Sequence, residues 1–113
     1  MSEERNRRYL GYILESIELI QRWAGSGRDT FLTDDLTQNA ALYRFETLAD
    51  AASKLPTALR DRHPQIPWRD ITDFRNRVSH GYLALDLDLV WRVIEVDLLA
   101  LKQTVEEELR RHS

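Results

Sequence analysis

Apolar residues in this chain recur every three or four positions through its long stretches and nowhere alternate one by one, a period that fits helices buried along one face and argues against a sheet. From about Arg5 to Ala24 the stripe is Leu10, Ile13, Leu14, Ile17, Ile20 and Ala24, and Gly25, Ser26 and Gly27 end it. Thr33, Asp34 and Asp35 supply cap and first-turn chemistry for a second helix, whose stripe of Ala41, Phe45, Leu48, Ala52 and Leu55 stops at Pro56. Three prolines between Pro56 and Pro67 predict a short helical turn around Thr57 to Asp61 and then an irregular connection. A third helix starts at Trp68, buries Ile71, Phe74 and Val78, and closes at Gly81. Asp86 or Asp88 caps the last, with Leu87, Val90, Ile94, Leu98, Leu101 and Val105 along its buried edge. The pattern predicts an all-α, antiparallel four-helix bundle with one short extra helical turn. Leu89, Trp91, Val93, Val96 and Leu99 make the last helix apolar over more than one face, which predicts a subunit interface and a homodimer.

A length of 113 residues without a break in composition predicts one domain, 1–113. The absence of cysteine excludes disulfides, thiolate zinc sites and cysteine nucleophiles, and accords with a reducing, cytoplasmic setting. The charged stretch from Met1 to Arg8 has no apolar block of the signal-peptide kind, and no run approaches the roughly 20 apolar residues of a membrane span. A net charge of −3 argues against a broad nucleic-acid surface. Locally the balance reverses, because Arg60, Arg62, Arg69, Arg75 and Arg77 outnumber Asp61, Asp70 and Asp73, and any RNA contact is expected there.

The most chemically loaded segment is Arg75-Asn76-Arg77-Val78-Ser79-His80-Gly81-Tyr82. On a helix, Arg69, Asp73, Asn76 and His80 fall within about 60° of one another, opposite Ile71, Phe74 and Val78. The negative helix end favours the imidazolium form of His80, and Asn76, one turn earlier, is placed to orient the ring. Arg75 and His80 are about 140° apart around the axis, so one straight helix does not aim both at one atom. A frayed helix end or a second chain is required. A two-fold dimer meets that need by setting two copies of the helix around one cleft. RNA brings its own nucleophile, the 2′-hydroxyl, so a base, an acid and an arginine for the phosphorane suffice, and neither metal nor cofactor is called for.

The spacing Arg, Asn, three residues, His, one residue, Tyr resembles the signature of the HEPN superfamily, and specifically its HepT-like toxins. Ile66-Pro67-Trp68-Arg69 before the motif helix, the Phe31-Leu32 turn before the second helix and the helix carrying Trp91 are also similar to that family, so the resemblance covers most of the chain. It implies a single HEPN domain acting as a homodimeric, metal-independent endoribonuclease toxin of a type VII HepT/MntA toxin-antitoxin system, with Arg75, His80 and Asn76 as the catalytic set. The implied partner is an MNT-type nucleotidyltransferase antitoxin that transfers AMP onto Tyr82, placing anionic bulk beside the RNA cleft. Relatives carry Gly-Glu-Ala late in the second helix where this chain has Ala49-Asp50-Ala51, a carboxylate shortened by one methylene.

Other readings stay open from the residues alone. Arg69 and Arg77 are candidate RNA contacts, or partners of Asp73 on the helix surface. Tyr82 is a modification site, or a ring packed on the bundle. The same polar face also suits a non-catalytic module that docks and regulates a nucleotidyltransferase. His63 and His112 read as incidental, and Glu106, Glu107 and Glu108 as a solvated helix face.

Overall fold

The computed structural model describes residues 3–81 and 85–111. In order, α1 is Glu3–Trp23, α2 Arg28–Thr33, α3 Asp35–Ser53, α4 Thr57–Asp61, α5 Trp68–Gly81 and α6 Leu87–Arg92, followed by a π-helical turn, Val93–Asp97, and α7, Leu98–Arg111. The chain is all-helical over these residues, as its periodicity predicts.

The helix ends follow from local chemistry. Glu3 and Glu4 sit at the positive end of α1 and Arg22 at its negative end. Gly27 then turns the chain with a φ of 100°, a value that strains any side chain with a Cβ. Asp34 caps α3, accepting from Leu36 N at 3.1 Å and Thr37 N at 3.4 Å. The Thr37 hydroxyl, with these amides, holds the Asp34 carboxyl below its usual range. Asp86, the first of the two proposed caps, performs the same role for α6.

Leu10, Ile13, Ile17 and Ile20 of α1 are fully buried between α3 and the last helix, which contribute Phe45, Leu48, Val90, Leu101 and Val105 to the same core. The Phe31 segment, read as a turn, is instead the short helix α2. Phe31 is buried and tilts against Trp91 at 5.7 Å, while Arg28 pairs with Asp88, so α2 is held on α6. The apolar stripe predicts one continuous last helix, and the structure interrupts it with the π turn at Val93–Asp97. Val90, Ile94 and Leu98 are two successive four-residue steps, each of which drifts about 40° on an α-helix. The wider turn takes up that drift and keeps all three buried.

Two expectations are overturned in the connection before α5. Glu108 belongs to no solvated face, since its side chain is wholly buried. His63 is not incidental, because it is buried with Nε2 at 2.5 Å from Glu108 Oε2. Arg62 donates to the same carboxylate through Nη2 at 2.7 Å and Nε at 3.3 Å. Trp68 Nε1 in turn donates to the carbonyls of Arg60 and His63, both at 3.1 Å. The proline-rich connection is thereby fastened to α7 and fixes where α5 begins. His112 lies outside the described residues.

Candidate functional site

The residues of α5 sort into directions set by what each side of the helix meets. Val78 is buried and Ile71 and Phe74 pack on the core, with the Phe74 ring edge-on to Phe45 of α3 at 5.3 Å and 76°. On the flank toward α3, Ser79 donates to Glu46 Oε1 at 2.7 Å and Arg75 Nη1 lies 3.7 Å from Asp50 Oδ1. The other carboxylate oxygen of Asp50 accepts from Lys54 at 3.1 Å. Asn76 and His80 are exposed, and so are Arg69, Asp73 and Arg77.

Arg75 leans on α3 while His80, in the last turn of α5, meets solvent, as their angular separation requires. Asn76 shares the exposed strip with His80, but no hydrogen bond joins them within this one chain. Neither Arg69 nor Arg77 pairs with Asp73 among the described residues, and both are exposed. Tyr82 lies outside the described residues.

Asp50, in the Ala49-Asp50-Ala51 segment of α3, is the carboxylate beside Arg75. Glu46, Ser79 and Lys54 were not singled out from the sequence. A signal for two of them exists: Glu46 and Asp50 are four residues apart on α3, as are Arg75 and Ser79 on α5, and antiparallel helices pair such couples crosswise. The opposite flank of α5 borders a groove of about 470 Å³ toward the last helix, floored by Phe45, Phe74, Val93 and Leu98 and rimmed by Asp70, Asp73, Asp97 and Arg77. No helix among the described residues is long and apolar enough to cross a membrane.

The family model described as Ribonuclease HepT-like matches residues 13–108. The chain belongs to the HepT-like ribonuclease family. Among its relatives, the "Probable ribonuclease HepT" of Thermococcus cleftensis is 32% identical over 88% of this chain and 91% of its own length. The "Gamma-glutamylcyclotransferase and putative RNase" of Methanocaldococcus jannaschii is 35% identical over 86% of this chain, which spans 44% of that larger protein. No solved structure matches the chain. The HepT-like span takes in all of α5 and ends on Glu108, so it includes both the polar face and the buried carboxylate that fixes the start of that helix.

Proposed function

We propose that this HepT-like chain is a metal-independent endoribonuclease acting as a homodimer of antiparallel four-helix bundles, with the cleavage cleft between two copies of α5. The observation that carries this reading is the divergence of Arg75 and His80: one flanks α3, the other is exposed on a separate side of α5. Two-fold pairing supplies what one subunit lacks, a second imidazole and guanidinium across the cleft.

In such a cleft one His80 takes the proton of the RNA 2′-hydroxyl, whose oxygen attacks the adjacent phosphorus. The other gives a proton to the departing 5′-oxygen, so a 2′,3′-cyclic phosphate and a 5′-hydroxyl result. Arg75 stabilises the charge that accumulates on the phosphorane oxygens. Its contact with Asp50 is partly exposed and long, so a phosphate can replace it at little cost. Asn76 orients His80 when the cleft assembles, and the exposed Arg69 and Arg77 receive flanking phosphates.

The toxin-antitoxin assignment belongs to the same proposal. An MNT-type nucleotidyltransferase attaches AMP to Tyr82, two residues beyond His80, where added negative charge repels RNA from the cleft. Two measurements test it. Purified protein should cleave RNA in EDTA while His80→Ala does not, and equal cleavage by both removes His80 from the mechanism. Mass spectrometry after co-expression with a neighbouring nucleotidyltransferase should find AMP on Tyr82, and an unmodified tyrosine overturns the regulatory part.

A further inference from the structure

The flank of α5 that holds Arg75 continues across α3 onto α1, and that continuation is basic and aromatic. Arg5 donates to the Tyr9 hydroxyl at 3.3 Å, and its guanidinium lies 5.2 Å over the Tyr9 ring. Arg44 of α3 lies 5.2 Å over the ring of Tyr12, whose hydroxyl donates to Thr47 at 2.7 Å. The bond from Arg5 lowers the Tyr9 pKa against the opposing effect of burial, and Lys54 and Arg8 act in the same sense as Arg5. Arg44 meets Glu15 and Ser16 while Thr47 meets Tyr12, so α3 runs antiparallel to α1, and Lys54, farther along α3, falls toward the first turns of α1.

Lys54 is also 3.1 Å from Asp50, which lies 3.7 Å from Arg75. Tyr9, Lys54, Asp50 and Arg75 thus mark a path over the end of α3 between the two outer helices. Farther back on α3, Tyr43 is 64% exposed. It lies within about 60° of Thr47, Asp50 and Lys54 around the helix, on the same outward side. In a chain of net charge −3, this face gathers Arg5, Arg8, Arg44, Lys54 and Arg75 against Glu4, Glu15, Glu46 and Asp50. Cations that follow a backbone beside an exposed aromatic ring are the means by which proteins hold single-stranded nucleic acid.

We propose that the α1–α3–α5 face is a track for single-stranded RNA leading to the cleavage groups, with Arg5 and Lys54 on phosphates and Tyr43 stacked on a base. The proposal rests on the ribonuclease reading, but its test does not need cleavage. The full chain is titrated into a labelled 2′-O-methyl oligouridine of about 20 nucleotides, which has no free 2′-hydroxyl to attack with, and binding is followed by fluorescence anisotropy at several salt concentrations.

The double variant Arg5→Gln, Lys54→Gln should bind about tenfold more weakly, with a salt slope shallower by about 1.4, near 0.7 for each charge removed from a single-strand contact. Tyr43→Ser should lose about tenfold and Tyr43→Phe almost nothing, since stacking needs the ring and not the hydroxyl. Wild-type affinity and slope in the double variant overturn the track even if the protein cleaves RNA. Absence of cleavage by the wild type overturns the ribonuclease reading and leaves the binding comparison intact. If Tyr43→Ser dissociates a dimer in sedimentation without changing RNA affinity, Tyr43 is a subunit contact and the stacking role is overturned.

Discussion

Glu108 of α7 and His63, in the connection leading to α5, meet at 2.5 Å with both side chains withdrawn from solvent. Burial alone would raise the Glu108 carboxyl, but the hydrogen bonds from Arg62 and His63 outweigh it and bring the pKa down to about 2. A carboxylate is thus stored, ionised, where the motif helix is anchored.

The pH dependence follows from that depression. The folded-state value is below the ordinary carboxyl value of 4.5, so the stabilisation is complete above that pH and is lost as pH falls toward about 2. The amount at stake is up to about 3 kcal/mol. Urea unfolding of wild type should lose stability steeply through that window, and Glu108→Gln, which leaves Arg62 without its counter-charge, should be about 3 kcal/mol less stable at neutral pH and flatter below it. An unchanged pH profile in the variant would show that the carboxylate is not what acid attacks.

The two aspartate caps should each be worth about 1 kcal/mol. Asp34→Ala removes an acceptor for two amides and one hydroxyl, whereas Asp86→Ala removes an acceptor for two amides. Asp34→Ala is therefore expected to be the more destabilising in thermal or urea unfolding. Equal losses below about 0.3 kcal/mol would mean that water replaces both caps without cost.

How much of this was legible in the sequence depended on whether the cause was local. Asp34, Asp86, the turn at Thr57–Asp61 and the limits of α5 could be read because caps, prolines and apolar spacing act within a few residues. The helix α2 could not, since six residues form a stable helix only when something holds them, here Phe31 on Trp91. Glu108 was misread for the same reason. Within a run of three glutamates nothing local marks one as buried, and the residues that enclose it, His63 and Arg62, lie 45 and 46 positions away. The two four-residue steps from Val90 to Leu98 were a readable sign of the π turn. In the site, residue types and spacing pointed to Arg75, Asn76 and His80, but the contact of Arg75 with Asp50 depends on the register of α5 against α3, which only packing sets.

That contact gives a prediction of its own. The pair is long and partly exposed, at 33% and 48% of the side chains, so it should contribute under about 1 kcal/mol to stability. Asp50→Asn should unfold within about 0.5 kcal/mol of wild type. With a competing negative charge removed beside Arg75, it should bind uncleavable RNA severalfold more tightly. A loss of stability above about 1 kcal/mol, or weaker RNA binding, would mean that Asp50 is needed to aim Arg75 and does not merely screen it.

The dimer reading can be tested on the last helix, where Val96 and Leu99 are 56% and 48% exposed and point away from the buried Ile94 and Leu98. Apolar side chains this open on a helix whose inner edge is already satisfied are suited to a partner surface. The double change Val96→Asp, Leu99→Asp places two charges there without touching the core. The variant should keep its helical content and melting temperature at high dilution but sediment as a monomer, whereas wild type is expected to sediment as a dimer. Because one subunit leaves Arg75 and His80 on different sides of α5, cleavage should fall by at least about a hundredfold, the usual scale of losing an acid or base from the reacting atoms. A monomer that still cut RNA at the wild-type rate would place the whole reaction within one chain and remove the reason for a shared cleft.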